Sequence, residues 1–311
     1  LVELYVGAGG WAYFIVPDES PLKAYSKTFN FVEVNSTFYE IPQPGAADAW
    51  RRAVPQSFRF AVRANKAITH NDPFAPSPES EDALQATLEV CQALKADVLH
   101  FQTPQSFRIG DIEAKRIGDF FSTLNAGSML LALEVRGASG GDLPHSLVKA
   151  MQDNYIIHCV DLLKGEAPAY AADTLYTRTF GKGDHNIYQP DDGELKAVHM
   201  TASMYTKAYV ASHSAKMYSD AARLITFGKT GKFPMVTKCT GLNSLTSVLE
   251  EDAKFPATKD ELIKRQGWKL YDASEEVRVR AEEPLSKLPD RTYGNVNDLL
   301  QELHYQGGGA V

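Results

Sequence analysis

Short apolar runs rich in β-branched and aromatic residues recur along the first two-thirds of the chain. They begin at Leu4 (LYVGAGG), Phe31 (FVEVNSTFY), Phe58 (FRFAVRANK), Asp97 (DVLHFQ), Leu130 (LLALEVRG), Ile156 (IIHCVDLL), Leu175 (LYTRTFG) and Lys207 (KAYVASH), eight in all. Runs of this length and composition predict strands. Amphipathic stretches lie between them. Residues 21–29 open with Pro21 after Ser20, a first-turn proline behind a cap. Residues 45–54 put Ala46, Trp50 and Val54 on one face. Residues 80–95 repeat Leu84, Leu88, Cys91 and Leu94 at helical spacing, with Ser80 as the expected cap before Glu81 and Asp82. Helices are also predicted over 112–124, 143–152, 191–205 and 214–227, while the link 165–173 is too short for one.

Eight alternating strand and helix units predict an α/β fold, a parallel (β/α)8 TIM-like barrel. A doubly wound sheet is the alternative. Against it, the GAGG turn at 7–10 lacks the third glycine of a dinucleotide fingerprint. A barrel of this kind takes about 250 residues, and the chain has 311. The expected division is a barrel over 1–229 and a small C-terminal helical module over 230–311. In the latter, Pro256 and Thr258 precede a charged helical pattern, and the glycine-rich end from Gln306 reads as flexible.

With 44% apolar and 23% charged residues, the composition is that of a soluble globular protein. The net charge of −7 argues against a general nucleic-acid coat, though not against a local basic cleft. Three widely spaced cysteines (Cys91, Cys159, Cys239) match no zinc-finger spacing and suit a reduced, cytoplasmic setting. No run of 18 apolar residues and no basic-then-apolar leader is present, so neither a membrane partner nor a signal peptide is expected.

The segments VGAGGWAY, VEVNSTFYEIP, FRFAVRANKAITH, LHFQTPQSF, LEVRGAS and YTRTFG follow one another over roughly residues 4–225. In this order they resemble the motifs of the YecE-like family, domain of unknown function 72. The resemblance implies a barrel and candidate residues but no reaction. The chain departs from the pattern at Arg63, where the family usually has Lys, and at Gly137 and Gly140, which replace a His and a Trp. It departs again at Phe180 before Gly181 and over Ser212 to Ser214. The segment from Lys254 to Leu303 resembles a second small family, domain of unknown function 2795, which implies a helical module.

Strand side chains alternate, so Glu33 and Asn35 share one face, as do Glu134 and Arg136. Arg63, Gln102, Asp161, Arg178 and His213 occupy similar late positions on other strands. In barrels the catalytic groups come from such strand ends. Glu33 and Glu134 are the candidate acid and base, if their surroundings separate their pKa values. Asp161 would orient a partner, and His70, after the third strand, is a candidate general base. Arg63, Arg136 and Arg178 would bind carboxylate or phosphate, and Asn35 and Gln102 substrate oxygens. Trp11, Tyr13 and Tyr39 would form an aromatic wall, and His185 is a further loop candidate. The same charges could equally be interior ion pairs serving only stability.

No cofactor is predicted. A divalent metal on Glu33, Glu134, Asp161 and His185 is sterically compatible with a barrel rim, although the arginines oppose it. The leading reading is an enzyme that acts on a small anionic, oxygen-rich or phosphate-containing substrate by carboxylate acid–base chemistry, most simply a hydrolase. One alternative is a metal-assisted, phosphodiester-cleaving enzyme with nucleic acid as partner, its tail gripping through Lys254, Lys259, Lys264, Arg265 and Lys269 near Trp268. The other is a non-catalytic ligand-binding barrel.

Overall fold

The computed structural model describes residues 2–43 and 45–307, which divide into two compact units. The first comprises residues 1–180 and 198–213. Its strands are β1 (Glu3–Ala8), β2 (Phe31–Val34), β3 (Arg59–Arg63), β4 (Val98–Gln102), β5 (Leu130–Glu134), β6 (Ile156–His158), β7 (Thr174–Thr179) and β8 (Lys207–Ser212). All pair in parallel, in the order β6-β5-β4-β3-β2-β1-β8-β7. A single parallel bridge, Val160 to Thr177, joins the two ends into a closed ring. The expected eight-stranded barrel is therefore present. The seam lies where the chain has room only for a 3-10 turn, Leu162–Lys164, between strands. There Thr177 Oγ1 donates to Val160 O (2.7 Å), a side chain replacing part of the ladder.

The connecting helices are α1 (Pro21–Thr28), α2 (Ala46–Arg52), α3 (Lys66–Thr69), α4 (Pro78–Leu94), α5 (Asp111–Thr123) and α6 (His145–Asp153), then α7 (Asp192–Ala202), whose second half from Val198 belongs to this unit. The cap of α4 is Ser77 rather than the expected Ser80. Pro78 takes the first helical position, and Ser80 closes a capping box with Ser77. The second strand is only four residues long. Beyond Val34 the chain turns into a 3-10 helix, Ser36–Phe38, where Thr37 Oγ1 binds Val34 O (2.8 Å) and Arg63 O (2.6 Å).

Alternation along each strand sets the barrel interior. Phe31, Ala61, Val98, Ala132, Ile157, Tyr176 and Tyr209 pack together as one buried cluster. Two residues further on, the same inward face carries Glu33, Arg63, His100, Glu134, Cys159 and Arg178. The interior is thus apolar below and charged above. Gly7 lets β1 meet β2: a Cβ there would lie 1.9 Å from Phe31 O and 2.6 Å from the Tyr25 hydroxyl. That hydroxyl accepts from Ala8 N and donates to Phe31 O. Close packing therefore accounts for the first glycine of the GAGG turn.

The second unit comprises residues 181–197 and 214–311. It contains α8 (Met217–Thr230), α9 (Gly241–Glu250), β9 (Ala257–Thr258), α10 (Lys259–Gln266), β10 (Leu270–Asp272), β11 (Arg278–Arg280), α11 (Glu282–Ser286), β12 (Thr292–Tyr293) and α12 (Val296–Gly307). Leu245, Leu249, Leu262, Leu285 and Leu299 form its core. Two antiparallel pairs, β9 with β12 and β10 with β11, supplement the expected helices. At two or three residues each, these strands are too short to show a period in the sequence. The boundary expected at 229/230 falls inside this unit. Buried Arg223 of α8 donates to Pro190 O (2.8 Å) and Asp192 (2.7 Å), and Asp192 also receives Arg278 (2.6 Å). Helix α12 runs through Gln306 to Gly307, and the rest of the glycine-rich end lies outside the described residues. Among the described residues, no helix is long and apolar enough to cross a membrane.

Candidate active site at the barrel mouth

The inward charges converge on Arg178. Its Nε lies 3.0 Å from Glu33 Oε2 and its Nη1 2.7 Å from Glu134 Oε2, so one guanidinium spans two carboxylates. Glu33 is fully buried. It also accepts from the Tyr176 hydroxyl (2.5 Å), and His213 Nε2 lies 3.2 Å from its Oε1. Glu134 Oε1 accepts from Gln102 Nε2 (2.5 Å), and Gln102 Oε1 in turn accepts from Arg63. Arg63 Nη1 donates to Asn35 Oδ1 (2.8 Å), and its guanidinium lies over the Phe38 ring at 3.6 Å. Five strands, with Asn35 just past β2 and His213 just past β8, thus contribute to one connected network. Its two carboxylates and two guanidiniums balance in charge, as burial demands.

The electrostatics follow from this pairing. Burial alone would raise the Glu33 carboxyl, but Arg178, with His213 and His100, holds it well below the usual carboxylate range. Glu134 is pushed the same way by Arg178 and His100 against its own burial. Burial would lower Arg178, yet the two glutamates drive it upward. Burial and the neighbouring Arg178 bring Arg63 down to about 10. Burial keeps His100 and His213 below the ordinary histidine value, so both imidazoles are neutral at pH 7. The expectation that Glu33 and Glu134 divide into acid and base is corrected here. One cation serves both, so their pKa values fall together, and neither holds a proton to donate near neutrality.

Other predicted residues are placed apart from this network. Asp161 accepts from the backbone of Leu163 (3.0 Å) and Phe180 (3.0 Å), anchoring the turns after β6 and β7. Its burial raises it to about 6 against those N–H donors. Arg136 is exposed on the loop after β5, and among the described residues its guanidinium makes no hydrogen bond or ion pair. His70 is half-buried at the end of α3, with Nδ1 2.8 Å from Thr69 Oγ1 and its ring edge-on to Phe38 at 4.7 Å. Burial, then Arg63 and Arg136, lower its pKa. Trp11 packs edge-on against Trp50 at 5.1 Å. Tyr13 is 82% and Tyr39 65% exposed, so neither closes a wall over the site. His185 belongs to the second unit and is exposed. Within the barrel, Glu33, Glu134 and Asp161 do not form a metal-ligand group among the described residues. Among the tail cations, Lys269 is buried, donating to Asp252 (2.6 Å) and Val248 O (3.3 Å), which removes it from any exposed grip.

Three interior groups were missed from sequence: His100, Cys159 and Tyr176. Each sits among apolar neighbours and reads as core. Period-two counting would have found them, since His100 precedes Gln102, and Tyr176 precedes Arg178, by one inward step. His213, noted only by position, is seated because Gly9 carries no side chain: a Cβ there would lie 2.1 Å from the imidazole. His100, Glu134 and Cys159 offer ligand atoms within 4.8 Å of one another, the one such trio among the described residues.

Known proteins share this architecture. A DUF72 family protein of Thermotoga maritima superposes with a TM-score of 0.58 at 18% identity, covering 73% of this chain and 99% of that one. Among curated sequences, UPF0759 protein YunF of Bacillus subtilis is 25% identical over 213 residues, 61% of this chain and 74% of YunF. UPF0759 protein YecE of Escherichia coli K12 is 28% identical over 109 residues, 34% of this chain, so the match spans only 35% of YecE. The model of the family described as protein of unknown function DUF72 matches residues 5–226, from β1 into α8, and the chain belongs to that family.

Proposed function

We propose that the barrel is an enzyme acting on a small anionic, oxygen-rich substrate at its mouth, most simply a hydrolase, with His70 as general base. The observation that carries this is the setting of His70. It is a half-buried imidazole kept neutral by burial and by two arginines, beside the buried hydroxyl of Thr69. If Nδ1 donates to Thr69, Nε2 is left as the acceptor that takes a proton from water. Arg136, whose exposed guanidinium has no bonded partner among the described residues, grips the anion. Arg63, fixed by Asn35 and Gln102, supplies a preorganised positive field. The Glu33–Arg178–Glu134 centre holds the floor of the site rigid and contributes no proton.

Thermal-shift screening with phosphomonoesters, phosphodiesters and carboxylate esters identifies the anion class, and turnover follows on any stabilising compound. His70→Gln should lower kcat at least a hundredfold with binding retained, and Arg136→Met should raise KM about tenfold. Activity should be full above the ordinary histidine pKa of about 6.5 and fall only below it, since the His70 pKa is depressed. Full turnover in His70→Gln refutes the base assignment. Tight binding without turnover would make the barrel a ligand sensor instead.

A further inference from the structure

We infer that His100, Glu134 and Cys159 form a binding site for a soft divalent cation such as zinc inside the barrel, beneath the mouth. An imidazole nitrogen on β4, a carboxylate oxygen on β5 and a thiol sulfur just past β6 lie within 4.8 Å of one another, apart from His70 and Arg136. Zinc takes these donors at roughly 2.0–2.3 Å, so the trio closes on an ion by a small contraction. A second observation comes from His100. It is fully buried, yet neither ring nitrogen makes a hydrogen bond. Its Nε2 lies 3.4 Å from Glu134 Oε2, too loosely aligned to bond. A buried imidazole that faces carboxylates only at 3.4 and 3.8 Å is poorly satisfied, and a cation among these groups would satisfy it.

Glu33 and Glu134 balance Arg63 and Arg178 in charge, and burial keeps the nearby histidines below the ordinary histidine value. The divalent cation displaces the Cys159 proton to solvent and binds the thiolate. The thiolate halves the charge that the ion brings, leaving plus one. Arg178 Nη1 bonds Glu134 Oε2, the oxygen that faces His100, while its Nε bonds Glu33. Gln102, donating to the other Glu134 oxygen, fixes the carboxylate from outside the ligand set. A mixed sulfur, nitrogen and oxygen set favours zinc or cobalt over magnesium or calcium. Three protein ligands leave a fourth position open, the pattern of reactive rather than purely structural zinc sites.

Full-length protein stripped with a chelator and titrated with cobalt(II) tests this. The expected result is one equivalent bound per chain, a thiolate-to-cobalt charge-transfer band, and about one proton released per ion in weak buffer. Cys159→Ser should abolish the band, Cys91→Ser and Cys239→Ser should keep it, and His100→Gln should weaken affinity at least tenfold. X-ray absorption on the zinc-loaded wild type should show one sulfur ligand, a measurement that holds even if Cys159→Ser fails to fold. A first shell of nitrogen and oxygen alone, no stoichiometric binding, or a band that survives Cys159→Ser overturns the inference.

Discussion

At the scale of single residues, Arg178 decides how the barrel mouth behaves. It sits between two carboxylates, and each has further donors: Tyr176 and His213 on Glu33, Gln102 on Glu134. Removing one partner from such a buried set leaves an uncompensated charge, which is strongly destabilising. Glu33→Gln and Arg178→Met should each cost on the order of 3 kcal/mol in urea unfolding at pH 7. The glutamate variant carries a pH signature. The folded Glu33 pKa is depressed, so its contribution is fully present above the unfolded carboxyl value of about 4.3 and is lost as pH falls below it. The gap between wild type and Glu33→Gln should therefore narrow in acid. Unchanged stability in both variants at pH 7 would show that these charges serve a ligand and not the fold.

Among the elements, the β6–β7 seam is the weak joint of the ring. Strand β6 has three residues and pairs fully only with β5. Towards β7 it relies on the Val160–Thr177 bridge, the Arg178 N–H to Val160 O bond (3.2 Å) and the Thr177 hydroxyl. Thr177 is fully buried. Thr177→Val keeps the shape but removes the donor to Val160 O, leaving a buried carbonyl with one bond fewer. A loss of about 1–2 kcal/mol is expected, with faster amide exchange at Arg178 than at β1 or β4 residues. Uniform exchange across all eight strands would mean that the seam is as tight as the rest. The short 165–173 link marks this spot in the sequence: it has no room for a helix to cover the joint.

For the whole molecule, the division into units matters more than the end of the family match at residue 226. Segment 181–197 is held by partners far along the chain. Arg278 binds Asp192 (2.6 Å), Arg280 binds Tyr188 (2.9 Å), and Gln189 accepts from Leu270 N (2.8 Å). We expect a chain ending at residue 229 to keep slow amide exchange in β1–β8 and to lose it in 181–197 and α8. Loss of protection across β1–β8 would instead mean that the two units share one cooperative core.

The sequence by itself put Glu33, Arg63, Gln102, Glu134 and Arg178 late in their apolar runs, hence towards one end of the strands, and the recurrence of eight such runs predicted the barrel over a doubly wound sheet. Both are local properties, read within each run wherever it lies. Only the tertiary structure decided which of those inward charges meet. Arg178 and Glu33 stand 145 residues apart and touch because the closed ring carries β7 across from β2. That contact makes the two glutamates behave alike, where the sequence allowed one acid and one base. Burial, too, is a property of the assembled barrel. His100, Cys159 and Tyr176 look like ordinary core residues in the chain, and they acquire chemistry only once closure leaves them without water and beside charge.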